Sequence, residues 1–115
     1  MSNKETKSLA APVLSQAVDG KLSRKDIQQT GGYVQIAVYD FMALGDQITL
    51  HLKAVPDDGS VPLSQTHEVI AIAPRVFRLA HVGDLVSWEF LDVHYSVKLH
   101  GTDKGESDRV SVKII

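Results

Sequence analysis

The sequence predicts an all-β domain, a two-sheet antiparallel sandwich of about seven short strands. Apolar and polar residues alternate with a period of two in several short stretches, which is the spacing of a strand with one buried face. Gly, Pro and Asp, the residues that favour turns, separate these stretches. No stretch has the spacing of an amphipathic helix of about ten or more residues, so an α/β fold is not expected.

The clearest alternation lies in residues 33–53 and predicts two strands joined by a seven-residue connection. The apolar residues that define the two strands are Val34, Ile36, Val38, Ile48, Leu50 and Leu52. The connection, residues 39–45, is too long for a two-residue hairpin and is typical of a crossover between two sheets. Gly45, near its end, is expected to take a positive φ.

Residues 1–8 are polar and are predicted to form a disordered lead-in to a single domain at residues 9–115. Residues 13–18 predict a short first strand. Ser23 is a potential N-cap with an acidic residue three positions later, so a helical turn is expected over residues 23–28.

The second half of the chain predicts further strands at residues 64–73 and at residues 110–114. Residues 74–81 are ambiguous, with partly helical spacing. A hairpin loop is expected at residues 101–106.

Residues 85–100 form a long run in which the apolar phase changes. Val86, Trp88 and Phe90 are expected to share one face, whereas the odd-numbered residues are apolar from Val93 onward. The change falls near Leu91, where we expect a bulge or a bend.

Composition excludes several classes of function. The 115 residues carry a net charge of -2, which argues against a nucleic-acid-binding protein. The absence of cysteine excludes disulfides, cysteine-based zinc sites and thiol catalysis. The polar N-terminus is not a signal peptide, and no apolar stretch is long enough to span a membrane. We therefore expect a cytoplasmic protein or one exported by a leaderless route, with the compartment left open.

The five histidines would form a zinc site only if three or four ligands converged in space. His94 and His100 lie about 20 Å apart along one predicted strand. His51 and His94 meet only if their strands are adjacent and in register. The acidic loop residues Asp57, Asp58, Asp103 and Glu106 lack the spacing of a dedicated calcium loop. Surface histidines and solvated acids are the favoured interpretation, and no metal or other cofactor is predicted.

Catalytic motifs are also missing from the sequence. There is no G-x-S-x-G elbow, and Gly31 and Gly32 are not followed by the G-K-[ST] of a phosphate loop. The paired carboxylates of a glycoside hydrolase would have to come from Asp84, Glu89 and Asp92, a cluster of acidic residues near aromatic residues. A non-enzymatic protein is predicted.

Aromatic residues are few, and each has two interpretations. Trp88 is expected to fill the core; the alternative is that Trp88 and Tyr33 bind a ligand such as a sugar ring. Tyr39, Phe41 and Met42 lie in the predicted crossover and are candidates for contact with a partner. Folding back over the open end of the sandwich explains them equally well.

The order of these signals resembles the immunoglobulin-like repeat modules of bacterial surface and adhesin-type proteins. The resemblance covers residues 9–115 and depends on a proline-led first strand, a Met before Gly-Asp, a Tyr-x-Val strand, a Gly-containing hairpin and a Ser-led last strand. In this sequence these features are residues 11–13, residues 41–46, residues 95–97, Gly105 and residues 107–110. The resemblance implies an immunoglobulin-like sandwich and brings no catalytic residues.

The sequence therefore predicts a non-catalytic binding module, bacterial, that contacts a protein partner or a cell surface through loops or an edge strand. Pairing between edge strands makes a homodimer possible. The alternative is a small carbohydrate- or ligand-binding, lectin-like domain that uses Trp88 and nearby acids. A hydrolase is the third choice.

Overall fold

The computed structural model describes residues 9–57, 63–83 and 86–115. The predicted lead-in at residues 1–8, the tip of the loop that follows Asp57, and Asp84 lie outside the described residues. The described strands and the short helix are β1 (Val13–Leu14), β2 (Lys21–Leu22), α1 (Arg24–Thr30), β3 (Tyr33–Ile36), β4 (Gln47–Val55), β5 (Ser64–Glu68), β6 (Arg75–Arg78), β7 (Phe90–Leu99), β8 (Thr102–Glu106) and β9 (Val110–Ile114). The chain is mostly β and has two sheets, as an all-β sandwich requires.

The smaller sheet has the order β1-β3-β6, and the larger sheet has the order β2-β9-β7-β4-β5. β8 pairs with the same strand as β9, β7, further along its length. All pairs are antiparallel except β2 with β9. Because β3 and β4 belong to different sheets, the predicted crossover is confirmed, but it spans residues 37–46 rather than 39–45. Val38, expected in the first strand, lies in the crossover and is 46% exposed. Gly45 has the expected positive φ, at 93°.

The helix follows from its capping residues. The Ser23 hydroxyl accepts a hydrogen bond from the Asp26 N–H at 3.3 Å. Gly31 ends the helix at a φ of 90°, with its N–H bonded to the Ile27 carbonyl at 2.7 Å. A Cβ at Gly31 would lie 2.7 Å from the Ala80 carbonyl oxygen, so the position also needs glycine for space. The predicted helical turn is confirmed and continues to Thr30.

The core lies between the two sheets and takes every second residue of the long strands. In β4 the even-numbered residues are buried, and in β7 the odd-numbered ones from Leu91 to Val97 are buried. Trp88, Tyr95 and Phe77 are its largest fully buried side chains. Burial of each large apolar side chain contributes about 1.5–3 kcal/mol.

The region after β4 differs from the prediction. The strand expected over residues 64–73 ends at Glu68, because the chain then leaves the larger sheet for the smaller one. The ambiguous residues 74–81 contain β6, in which Phe77 is buried and Val76 is 54% exposed. Pairing with β3 therefore overrides the partly helical spacing.

The phase change before β7 also differs from the prediction. Val86 and Trp88 are buried, but Phe90 is 49% exposed, so it does not share their face. The change occurs between Trp88 and Leu91, where the chain enters the regular ladder of β7, and not through a bulge inside the strand.

The expected hairpin loop at residues 101–106 is instead mostly the strand β8. The turn is reduced to His100 and Gly101, both with positive φ (52° and 82°), which is the geometry of a two-residue hairpin. The bulge in this part of the fold lies opposite the step from Val97 to Lys98.

Candidate functional site

The crossover that carries Tyr39, Phe41 and Met42 is fixed against the body of the domain. Tyr39 is only 8% exposed, and its hydroxyl donates to Asp46 Oδ2 at 2.7 Å. Its ring lies 5.0 Å from that of Phe41, centroid to centroid. Phe41 and Met42 are partly buried against the core. This packing matches the interpretation that the segment folds back over the sandwich, and the role of these residues in partner contact stays a prediction.

A buried ion pair holds the crossover in place. Asp46 is 0% exposed, and Lys104 Nζ lies 2.8 Å from its Oδ1 and 3.0 Å from its Oδ2. Lys104 also donates to the Phe41 carbonyl at 3.0 Å, and the Ala43 N–H donates to Asp46 Oδ2 at the same distance. We call Tyr39, Asp46 and Lys104 the Asp46 cluster.

The electrostatics of the Asp46 cluster favour its charged form. Burial alone acts to raise the pKa of Asp46, but the hydrogen bonds from Lys104, Tyr39 and the Ala43 N–H more than offset it and lower the pKa. Burial, and then the hydrogen bond to Asp46, raise the pKa of Tyr39, which therefore stays a neutral donor. The side chains of the Asp46 cluster are hydrogen-bonded to one another, which indicates a structural role.

Trp88 and Tyr33 do not form a common surface. Trp88 is 1% exposed and belongs to the core. Tyr33 lies in β3 next to Val34, which is fully buried, so its half-buried ring is on the opposite, outer face of the smaller sheet. There the Tyr33 hydroxyl accepts a hydrogen bond from Arg78 at 3.3 Å. The structure favours the core interpretation of Trp88.

Two of the five histidines lie side by side on the outer face of the larger sheet. His51 and His94 pair directly between β4 and β7, and their rings stack with centroids 4.6 Å apart and planes 16° apart. His51 Nε2 is 2.9 Å from Ser96 Oγ. The strands of His51 and His94 are therefore adjacent and in register, which was the condition for the two side chains to meet. Within the described residues, no group of three or more His, Cys, Asp or Glu side chains is placed to hold a metal ion.

Acidification from about pH 7 to about pH 5 is expected to lower the free energy of unfolding. Burial lowers the pKa of His94 below 6.5, helped by His51 and Arg109 and opposed by Glu106. Burial and Arg75 lower the pKa of His67 in the same way. As the pH falls through 6.5, the unfolded chain therefore binds protons before the folded chain does, and stability is lost until the pH passes the lowered values. Urea unfolding followed by the fluorescence of the single tryptophan measures this loss.

His94→Gln and His67→Gln are each expected to flatten that pH dependence. His81→Gln is the matched control, since His81 is exposed and lies outside the strands. Equal or greater stability at the lower pH would contradict the prediction.

Within the described residues, β5 is an edge strand of the larger sheet. β5 pairs only with β4, and no other strand of the described residues lies along its far side. The Val69 N–H donates to the Asp46 carbonyl and the Leu52 N–H donates to the Leu63 carbonyl, both at 2.8 Å. In an antiparallel pair, alternate residues direct their N–H and C=O groups toward the neighbour. Odd-numbered residues of β5 therefore bond to β4, and the main-chain groups of Ser64, Thr66 and Glu68 point outward.

The neighbouring edge of β6 is covered, in contrast, by side chains of β5. Gln65 Nε2 donates to the Arg78 carbonyl at 2.8 Å. The His67 ring stacks on Phe77 with centroids 4.2 Å apart, and its Nδ1 lies 3.5 Å from an Arg75 nitrogen. The larger sheet thus protects the edge of the smaller sheet and leaves its own edge accessible.

The other edge strands are less suited to pairing. β1 and β2 have two residues each. β8 has five residues, but its pairing with β7 is interrupted by the bulge at Lys104. Bulges and short lengths are the usual protection of a sheet edge. β5 has five residues in regular register, without proline, lysine or a bulge.

Comparisons with protein-family models, with curated proteins and with solved structures found no match to this chain. The candidate site therefore rests on geometry. No helix of the described residues has the length and the apolar character needed to cross a membrane.

The outward groups of β5 were not assigned by sequence reasoning. Residues 64–68, SQTHE, contain no large apolar side chain. A strand that is polar on both faces is typical of a sheet edge, because a central strand is covered on at least one face by the core. Residues 64–68 have this polar pattern, but residues 69–73 are apolar, and the two stretches together predict one longer strand.

Proposed function

We propose that the domain is a non-catalytic protein-interaction module, and that it acts by accepting an extended strand of a partner at the edge of β5. The observation that carries the proposal is the set of outward N–H and C=O groups of Ser64, Thr66 and Glu68, next to no other described strand. Strand addition satisfies such groups directly, and the alternate side chains of the added strand supply specificity.

The strand order supports an immunoglobulin-like sandwich as the framework. In that fold, strands A, B and E lie in one sheet, and the variable type adds strand C′ to the sheet of G, F and C. The order β1-β3-β6 and, within the larger sheet, the order β9-β7-β4-β5 beside β2 support this assignment, in which β5 is the counterpart of C′. The resemblance to bacterial surface modules extends the proposal to a protein or cell-surface partner.

Thr66→Pro is expected to abolish strand addition while the domain still folds. The Thr66 N–H points away from β4, so proline removes an outward main-chain donor and leaves the main-chain ladder with β4 intact. It also removes the exposed hydrogen bond between the Thr66 and Thr49 hydroxyl groups on the outer face. Random seven-residue peptides displayed on phage are the probe. Peptides selected on the wild-type domain are expected to bind the Thr66→Pro variant at least about tenfold more weakly, because several adjacent hydrogen bonds are lost.

Val76→Pro is the matched control. The Leu79 N–H donates to the Gly32 carbonyl at 2.9 Å, so the odd-numbered residues of β6 form main-chain hydrogen bonds with β3. The main-chain N–H and C=O of Val76 therefore point away from β3. Val76→Pro therefore places a proline at an outward position of β6, and this variant is expected to bind the selected peptides as the wild type does. Selected peptides that bind both variants equally, or whose binding is lost only on Phe41→Asp or Met42→Asp, would overturn the assignment to β5.

A further inference from the structure

We infer that the edge of β5 accepts a second copy of this chain, paired antiparallel about a two-fold axis at Thr66. The inference rests on the proposed function, since it names the partner of the same edge. The resulting dimer joins the two larger sheets into one continuous sheet across the axis.

The positions of the outward groups select this register. Only Ser64, Thr66 and Glu68 direct their main-chain groups outward, and they are symmetric about Thr66. With the axis there, Thr66 faces Thr66 of the second copy, and Ser64 faces Glu68. Every outward N–H and C=O of β5 then has a partner, which gives about six hydrogen bonds. A shift by one residue would oppose outward groups to inward ones, and a shift by two would leave an end of the strand unpaired.

The side chains on the outer face are compatible with the same register. Ser96, Thr49 and Thr66 lie in one row across β7, β4 and β5, and the Thr49 and Thr66 hydroxyl oxygens are 2.9 Å apart. The two-fold axis continues this row of hydroxyl groups into the second copy. Cross-strand threonine pairs are favourable, whereas like charges directly opposite each other are not. Glu68, the charged residue of the strand, faces a serine.

The short length of β5 indicates that the dimer is weak. Five residues of strand span about 17 Å, so the interface is smaller than that of a permanent dimer. Ile70 and Ile72, just beyond the strand, are 75% and 54% exposed, but the chain has left the larger sheet there, so the five residues of β5 define the contact. We therefore expect a reversible dimer with a dissociation constant of roughly 10–100 µM.

A charge exchange at the axis tests the register. Sedimentation velocity over roughly 5–500 µM is expected to show a concentration-dependent dimer of the wild-type chain. Thr66→Lys and Thr66→Glu each place two like charges face to face, and each variant alone is expected to dimerise at least about tenfold more weakly. An equimolar mixture of the two variants is expected to recover dimerisation, because Lys then faces Glu. Thr66 is exposed, so both variants are expected to fold, which far-UV circular dichroism checks.

Val76→Lys, on the exposed face of β6 at the edge of the smaller sheet, is the matched control and is expected to dimerise as the wild type does. Dimerisation that is unaffected by the two Thr66 variants, or that the mixture does not recover, overturns the two-fold pairing at Thr66. A wild-type chain that stays monomeric but binds displayed peptides in a Thr66→Pro-sensitive manner overturns this inference and leaves the proposed function standing. A monomeric chain whose peptide binding is insensitive to Thr66→Pro overturns both.

Discussion

Lys104→Met is expected to lower the free energy of unfolding by about 3–5 kcal/mol, the usual cost of removing one partner from a buried ion pair. The Asp46 carboxylate is fully buried, and Lys104 is the cation that neutralises it. Methionine preserves the length and most of the packing of the side chain, so the loss measures the charge left unpaired. The phenol of Tyr39 and the Ala43 N–H stabilise the carboxylate in part, but neither supplies a positive charge. Urea unfolding at neutral pH gives the difference.

The double variant Asp46→Asn, Lys104→Met separates an ionic effect from a packing effect. Asparagine keeps an oxygen that can accept from Tyr39 and Ala43, but it does not need a cation. The double variant is therefore expected to be more stable than Lys104→Met alone, so that the two substitutions are non-additive. Additive losses, or a cost of Lys104→Met below about 1 kcal/mol as for an exposed pair, would contradict a buried ionic interaction.

The Asp46 cluster also bears on the candidate interaction edge. The Asp46 carbonyl accepts the Val69 N–H, and the Gly45 N–H donates to the Val69 carbonyl at 2.9 Å. Val69 directly follows β5, so these two bonds fix the end of that strand. The crossover that the sequence marked as a partner-binding loop therefore has a structural role close to the edge that we propose as the binding site.

Local features of the fold were predictable from the sequence. The period-two alternation of β4 and β9, the cap at Ser23 and the positive φ of Gly45 each depend on residues close in the chain. The crossover was predictable from its length alone, because seven residues exceed what a tight hairpin needs.

Features that depend on distant partners were not predictable. Lys104 is the residue added at the bulge of β8: Val97 pairs with Gly105, whereas Lys98 pairs with Asp103. Bulges redirect side chains, and here the lysine turns toward Asp46, which lies 58 residues away in sequence. Nothing in the sequence around Lys104 distinguishes it from a solvated turn residue. The exposure of Phe90 was missed for a similar reason, since the change of phase beside it occurs where Glu89 is bonded between Val55 and Ile114.

The existence of a strand near residues 64–68 was predictable from the sequence, but its position at the edge of a sheet was not. An edge strand was among the expected means of contact, but which strand would be the edge is decided by the order of the sheet. That order places β5 beside β4, with no described strand on its other side. The histidine pair shows the same dependence, because His51 and His94 are 43 residues apart and meet only through the register of β4 with β7.

Trp88→Ala is expected to lower the free energy of unfolding by about 3–5 kcal/mol, the cost typical of truncating a core aromatic side chain. The side chain is 1% exposed, and it lies in the core cluster together with Val86 and Leu91. Alanine leaves a cavity that the surrounding strands cannot close, because their positions are set by their own hydrogen-bonded ladders. Far-UV circular dichroism during urea unfolding measures the loss without the tryptophan signal.

Phe90→Ala provides the matched control, since Phe90 lies two positions later and is 49% exposed. Its truncation is expected to cost less than about 1 kcal/mol, as for a surface position. If Trp88→Ala is too unstable to purify, Trp88→Phe keeps most of the volume and is expected to show a smaller loss in the same direction. The ligand-platform interpretation predicts the opposite pattern: near-normal stability of Trp88→Ala, because a side chain reserved for a ligand contributes little to the folded state without it. Equal stability of the two alanine variants would therefore contradict the core interpretation of Trp88 and favour a role in ligand binding.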